Sequence, residues 1–170
     1  MKPIGPSQTL SRMLADGELD ALVTARAPST FRTEPDKVRR LFPAYVEQEK
    51  AYYRRTRIFP IMHTVAIRRD VYRANPWVAQ SLYKAFAAAK AKAHEAYDQT
   101  AALPVMLPWT VAHVEDTKRE MGEDWWPYGL EANRHVLDTF LRYHHEQGLS
   151  KKRFAPEELF ARETLESFKV

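Results

Sequence analysis

Cysteine is absent from this chain of 170 residues, and glycine occurs only five times. Without cysteine there can be no disulfide, no thiolate metal ligand and no cysteine nucleophile. No glycine-rich loop of the kind that holds phosphates or dinucleotides is present either. His144 and His145 are adjacent on a predicted helix and point about 100° apart, so they cannot bind one metal ion together. We therefore predict neither a cofactor nor a metal site.

The sequence also lacks long apolar runs and any strong concentration of charge of one sign. No stretch approaches the roughly 18 apolar residues that a membrane span requires, and no apolar leader segment follows Met1. The 26 Lys and Arg against 22 Asp and Glu give a net charge of +4. These basic residues are dispersed, whereas nucleic-acid-binding proteins usually concentrate them on one stripe. We expect a cytoplasmic protein whose partner is a small anion, with no nucleic acid and no membrane span.

Helical periodicity covers most of the chain. Apolar side chains at every third or fourth position predict six helices, at residues 7–16, 36–41, 44–54, 76–99, 109–121 and 131–147. A last helix is predicted after Pro156. Ser7 or Thr9 can cap the first helix, and Gly17 can end it in a left-handed conformation. Residues 122–129 are predicted to form a loop rich in aromatic side chains.

Two short apolar segments, residues 19–24 and 61–67, are predicted strands. The second is rich in Ile, Val and Thr, which favour strands. Two strands alone do not make a stable sheet, and short apolar strands separated by helices are typical of a larger parallel α/β sheet. The predicted class is therefore α/β, mostly helical with a small sheet, and part of a larger protein. A helical domain with a rudimentary sheet is the alternative.

Blocks of sequence along nearly the whole chain carry a resemblance to a known family. They are TLSRMLADGELDAL at residues 9–22, RAPS at 26–29, AYYRRT at 51–56, IFPIMH at 58–63, PWVA at 76–79, WPYGL at 126–130 with Asn133, and YHHEQGLS at 143–150. Together they resemble the 4,5-dihydroxyphthalate decarboxylase family, whose fold is similar to that of type 2 periplasmic solute-binding proteins.

The resemblance also implies an organisation for the chain. Family members are about twice as long, in line with two lobes, so the chain corresponds to the C-terminal part and reads as truncated. Residues 1–170 would then be a single partial domain, with residues 1–60 ending one lobe and residues 61–170 holding a hinge strand and the C-terminal helices. An unusually apolar face is expected where the other lobe would pack, and association of identical chains is one way to cover it.

One residue departs from the family pattern. Arg57 stands before Ile58, where the resemblance leads us to expect a small residue, typically Gly. We expect this substitution to affect the chain direction or the local charge beside His63.

The function implied by the resemblance is that of a lyase. It would remove one carboxylate from 4,5-dihydroxyphthalate, an aromatic dicarboxylate, to give protocatechuate. Two alternatives stay open: a solute-binding protein for an anionic small molecule of the ABC-transporter type, which would be periplasmic, and an inactive fragment.

Such a decarboxylation needs a cation to hold the retained carboxylate, and the planar fork of arginine suits it best. Arg26 is the candidate, because it follows a predicted strand and ligands of α/β proteins bind beyond strand ends. Ser29 could add a hydroxyl donor. The plainer interpretation is a surface arginine and a serine that only stabilises a turn.

The reaction also needs a proton donor and a flat apolar wall. His63, within the second predicted strand, is the candidate general acid, and a core histidine bound to a backbone carbonyl is the alternative. Trp126 and Tyr128, beside Trp125, are candidates for stacking on the substrate ring. They could equally form a lid that packs on the core.

Overall fold

A computed structural model describes residues 3–165 as helices joined by irregular segments. The chain forms two compact units, which divide after Ala51. Each unit is described by itself below. The predicted lobe boundary after residue 60 stays a prediction.

The first unit contains two short helices, α1 (Leu10–Ala15) and α2 (Thr30–Thr33). Thr9 begins α1, since its hydroxyl accepts a hydrogen bond from the N–H of Arg12 at 3.2 Å. Gly17 follows the end of α1 with φ 78°, a left-handed conformation that glycine adopts without steric cost. The predicted cap and the predicted helix end are both confirmed.

Arg12 connects the two short helices. Its guanidinium lies 2.7 Å from Asp16 and 2.6 Å from Glu34, which follows α2. The Arg12 hydrogen bond, assisted by Lys37, lowers the pKa of the Glu34 carboxyl to about 2. An ion-pair network therefore ties α1 to the end of α2.

The division between the units falls within one helix, and four more helices follow. The divided helix is α3 (Tyr45–Thr56). The four that follow are α4 (Arg69–Ala74), α5 (Trp77–Tyr97), α6 (Thr110–Met121) and α7 (Leu130–Glu146). Two single 3₁₀ turns, Pro156–Glu158 and Arg162–Thr164, come after them. The first of these turns packs on α7 and the second on α5.

The core of the second unit is small and centres on α7. Leu130, Leu137 and Leu141 are buried there, together with Ala79 of α5. Leu130, Leu137 and Leu141 recur at helical spacing and so lie on one face of α7. Many large apolar side chains remain exposed among the described residues, including Met62, Met106 and Trp109. The expected apolar face, on which another lobe would pack, stays a prediction.

The predicted α/β class is wrong, because residues 3–165 contain helices and no strand. Residues 19–24 are irregular, with Val23 fully exposed, and residues 61–67 are irregular and mostly exposed. Strand preference reflects packing on a half-buried sheet rather than the backbone itself. Neither segment has a strand beside it among the described residues, so the preference is not expressed.

Most of the helix predictions are confirmed to within a few residues, and three details differ. Residues 36–41 are not helical, because that stretch forms a turn and an irregular segment. The helix predicted after Pro156 is only a 3₁₀ turn. Two short helices, α2 and α4, were not predicted, and α2 lies in a stretch, residues 25–34, that the sequence predicts to be a loop. None of the helices in the described part of the chain is long and apolar enough to cross a membrane.

Arg57, the departure from the family pattern, has an uncommon backbone conformation. Its φ is 57°, and it is the non-glycine residue with positive φ among those described. This left-handed conformation favours glycine, because an L side chain crowds the following carbonyl. The expectation of glycine at this position thus has a physical basis in the structure.

Candidate functional site

A groove of about 660 Å³ lies between α5 and α6 in the second unit. The loop of residues 122–129 and the segment before α6 complete its walls. Its lining is largely apolar and aromatic: Phe86, Ala89, Lys90, Ala93, His94, Tyr97, Val105, Leu107, Thr110, His113, Val114, Thr117, Trp125, Trp126 and Tyr128. We call this the α5–α6 groove.

Helix geometry explains why these residues share one surface. In α5 the lining positions from Phe86 to Tyr97 recur in the pattern i, i+3, i+4, i+7, and in α6 the same pattern runs from Thr110 to Thr117. Side chains three or four residues apart lie on one face of a helix. Each helix therefore presents a continuous face to the groove.

Lys90 joins the loop to α5. Its ammonium lies 2.7 Å from an Asp124 carboxylate oxygen and donates to the Trp126 carbonyl at 3.2 Å. It also lies over the ring of Tyr128, 5.1 Å from the centroid. The side chain of Lys90 is only 18% exposed, whereas that of Asp124 is 57% exposed. The mostly buried ammonium of Lys90 therefore contacts three residues of the loop of residues 122–129, which we call the aromatic loop.

Lys118 joins the same loop to α6. Its ammonium lies 2.9 Å from Asp98 and 3.3 Å from Glu123. The hydrogen bond with Asp98, and to a smaller extent that with Glu123, raises the pKa of Lys118, so the ammonium stays charged at neutral pH. The loop is thus attached to both helices by lysines that bind adjacent acidic residues.

Aromatic contacts orient the loop further. The His94 and Trp125 rings are stacked, with centroids 4.3 Å apart. Phe59 and Trp126 meet at 5.7 Å with their planes tilted by 60°. The Phe59–Trp126 separation lies within the usual range for attractive ring pairs, and the His94–Trp125 stack is slightly closer. The contacts fix the planes of two indoles that line the groove.

The end of the loop depends on a glycine. Gly129 has φ 95°, and a Cβ at this position would lie 2.8 Å from the hydroxyl oxygen of Tyr83. Asn133, one turn into α7, donates from its side chain to the carbonyls of Pro127 and Gly129, each at 2.9 Å. The WPYGL block with Asn133 is therefore a structural unit that leads the loop into α7.

Two of the predicted substrate-binding residues, Trp126 and Tyr128, line the α5–α6 groove. Both remain more than one-third exposed, at 43% and 37%. Neither side chain is therefore fully buried, and the alternative of a lid packed on the core stays open. A role in binding substrate stays a prediction for both.

The other predicted site residues lie elsewhere. His63 is exposed within the irregular segment before α4 and does not line the α5–α6 groove. Arg26 and Ser29 belong to the first unit. Arg26 is exposed in an irregular segment, and the hydroxyl of Ser29 lies 3.0 Å from that of Ser11. Their roles in catalysis and binding stay predictions.

Sequence reasoning missed the polar residues of the groove, namely Lys90, His94 and His113. Lys90 and His94 are four residues apart and directly follow Ala89 and Ala93 of the apolar stripe of α5. That position at the edge of a stripe is the signal that could have found them. Their partners, Asp124 and Trp125, are too distant in sequence for a periodic pattern to indicate.

The residues 3–165 contain no cluster of three or more His, Asp or Glu side chains that could hold a metal ion. What the α5–α6 groove offers is a set of flat apolar walls with imidazole and ammonium groups at a few points. Such a surface suits a planar aromatic ligand with a polar edge.

Comparison with known proteins adds a relationship to this geometry. Over 163 residues, 96% of this chain, the sequence is 40% identical to a 4,5-dihydroxyphthalate decarboxylase of Comamonas testosteroni. The chain is related to this decarboxylase. It spans 49% of that relative's length, about half. No family model matches the sequence. The expected likeness to the fold of type 2 periplasmic solute-binding proteins stays a prediction.

Proposed function

We propose that this chain is a decarboxylase-like lyase that converts 4,5-dihydroxyphthalate to protocatechuate and carbon dioxide. The observation that carries the proposal is the 40% identity to a protein of that name over 96% of the chain. Identity at this level over nearly the whole chain concerns many separate blocks of sequence rather than one motif. The aromatic walls of the α5–α6 groove are compatible with a substrate of this shape.

The reaction needs no redox partner. The bond between a ring carbon and one carboxylate carbon breaks, and carbon dioxide leaves without the electron pair. A proton then bonds to the ring carbon in its place, while the second carboxylate is retained. The protein must hold the retained carboxylate, shield the leaving one from water and deliver a proton.

Candidates exist among the described residues for each task. Trp126 and Tyr128 would stack on the ring, as flat side chains do. Arg26 would bind the retained carboxylate with its guanidinium fork, with Ser29 as a second donor. His63 would supply the proton, since histidine commonly serves as general acid near neutral pH.

The test is to mix the chain with 4,5-dihydroxyphthalate and to follow carbon dioxide release and protocatechuate formation. The Comamonas testosteroni relative serves as the positive control under the same conditions. We expect release that depends on the chain and saturates with substrate. Saturable binding of the dicarboxylate without release would overturn the lyase proposal and support the solute-binding alternative. Neither binding nor release, with an active control, would support the inactive fragment.

A further inference from the structure

His113 differs from Lys90 and His94, the other ammonium and imidazole groups of the α5–α6 groove, in having no partner among the described residues. Lys90 is paired with Asp124, and the ring of His94 is stacked on Trp125. The imidazole of His113 makes no hydrogen bond, ion pair or ring contact with any of the described residues. His113 is also exposed, so a ligand can reach its ring nitrogens from solvent.

The surfaces beside His113 are suited to a flat molecule. Trp125, Trp126 and Tyr128 line the groove from the loop, and Phe86 and Tyr97 line it from α5. Contacts with His94 and Phe59 fix the two indole planes, and Lys90 fixes the loop between them. Walls that are already in place bind a ring without the cost of ordering them.

We propose that the α5–α6 groove binds the ring of a hydroxylated aromatic acid, and that a ring N–H of His113 donates to its carboxylate. The choice of ligand class rests on the proposed lyase function. The site itself rests on the groove and on the unpartnered imidazole. The proposal thus gives His113, in the second unit, a role in binding the substrate that the sequence did not indicate.

Binding of protocatechuate to the intact chain, measured by calorimetry, tests this proposal. His113→Phe keeps a flat ring but removes the donor, and we expect it to weaken binding about ten- to a hundredfold. His113→Gln retains an N–H donor and should recover part of that loss. The matched control is His145→Gln, because His145 lies on α7 outside the groove.

A second pair of variants tests the walls. Trp126→Ala removes a stacking surface and should weaken protocatechuate binding about three- to tenfold. Trp77→Ala, at an exposed tryptophan outside the groove, should leave the affinity unchanged. Circular dichroism and the melting temperature of each variant establish that the fold is retained.

The experiments distinguish failure of the proposed binding site from failure of the proposed lyase function. No binding at millimolar protocatechuate, or equal binding by the chain and by the His113 and Trp126 variants, would overturn the site, whatever the carbon dioxide assay gives. Binding that depends on His113 and Trp126, in a chain that releases no carbon dioxide, would retain the site and overturn the lyase.

Discussion

The imidazole of His94 and the indole of Trp125 lie face to face, 4.3 Å apart and within 5° of parallel. The two residues come from different elements, α5 and the aromatic loop. Their contact fixes a wall of the α5–α6 groove between the two lysines that hold the loop. The stack therefore connects the packing of the second unit to the shape of its candidate site.

A double-mutant cycle measures this contact. We expect His94→Ala and Trp125→Ala to be non-additive in the free energy of unfolding, with a coupling of about 0.5–1.5 kcal/mol, the range for aromatic pairs. Chemical denaturation of the chain, both single variants and the double variant gives the coupling. Trp125→Ala combined with His145→Ala serves as the control pair, which should be additive. Additivity in both pairs would mean that the stack contributes nothing.

The predicted roles of Arg26 and His63 differ in their kinetic signatures. Arg26→Lys keeps the charge but loses the bidentate fork, so substrate binding should weaken about ten- to a hundredfold. His63→Asn should leave binding nearly intact and lower turnover by roughly 10²–10⁴. Substrate affinity and single-turnover rates distinguish ground-state binding from a transition-state interaction.

Melting temperatures provide the control for that comparison. Both residues are exposed, so neither substitution should change the stability of the fold. Small and equal losses of activity, together with lowered melting temperatures, would assign both residues a structural role.

Acid should weaken the first unit through Glu34. The folded chain lowers the pKa of this carboxyl from 4.5 to about 2. Because the folded value is the lower one, the stabilisation is complete above the unfolded value and disappears as the pH falls towards about 2. Glu34→Gln should lower the free energy of unfolding at neutral pH and reduce its fall across this pH window.

Denaturation at a series of pH values checks this expectation. Glu95→Gln is the matched control, because Glu95 is exposed on α5 and forms no ion pair with another described residue. An unchanged pH profile in Glu34→Gln would show that the Arg12 network does not stabilise the folded chain.

The backbone conformation at position 57 should make glycine more stable there than alanine. At ordinary φ values alanine is more stable than glycine, but at φ 57° the Cβ of alanine is strained. We therefore expect Arg57→Gly to be more stable than Arg57→Ala by about 1 kcal/mol. Both variants lose the contact of the guanidinium with the Tyr53 ring, 5.6 Å away. The difference in stability between them therefore measures the backbone strain at position 57. Greater stability of Arg57→Ala would contradict it.

Local signals predicted the helices well, and contacts distant in sequence account for what was missed. The stripe from Val78 to Tyr97 predicts α5, the Thr9 cap predicts the beginning of α1 and Gly17 predicts its end. The prediction of a strand at residues 61–67 is wrong because a strand needs neighbouring strands to form a sheet, and a local pattern does not indicate whether they exist.

The candidate site was predicted in part. An aromatic cluster in a loop is visible in the sequence, so Trp126 and Tyr128 could be selected. Lys90 and Asp124 are separated by 34 positions, and their pairing arises only from the packing of the loop on α5. Polar residues whose roles depend on such packing, His113 among them, carry no distinctive sequence signal.

The irregular segment before α4 also has a consequence for solubility. Residues 61–67 contain no Asp, Glu, Lys, Arg or Pro, and they are rich in residues that favour strands. An exposed segment of this kind is a template for aggregation. Arg55 and Arg57 precede it, and Arg68 and Arg69 follow it, as charged gatekeepers flank strand-forming runs in many proteins. The solubility of the chain therefore depends on these four arginines, and neutralising them should lower the concentration at which it precipitates.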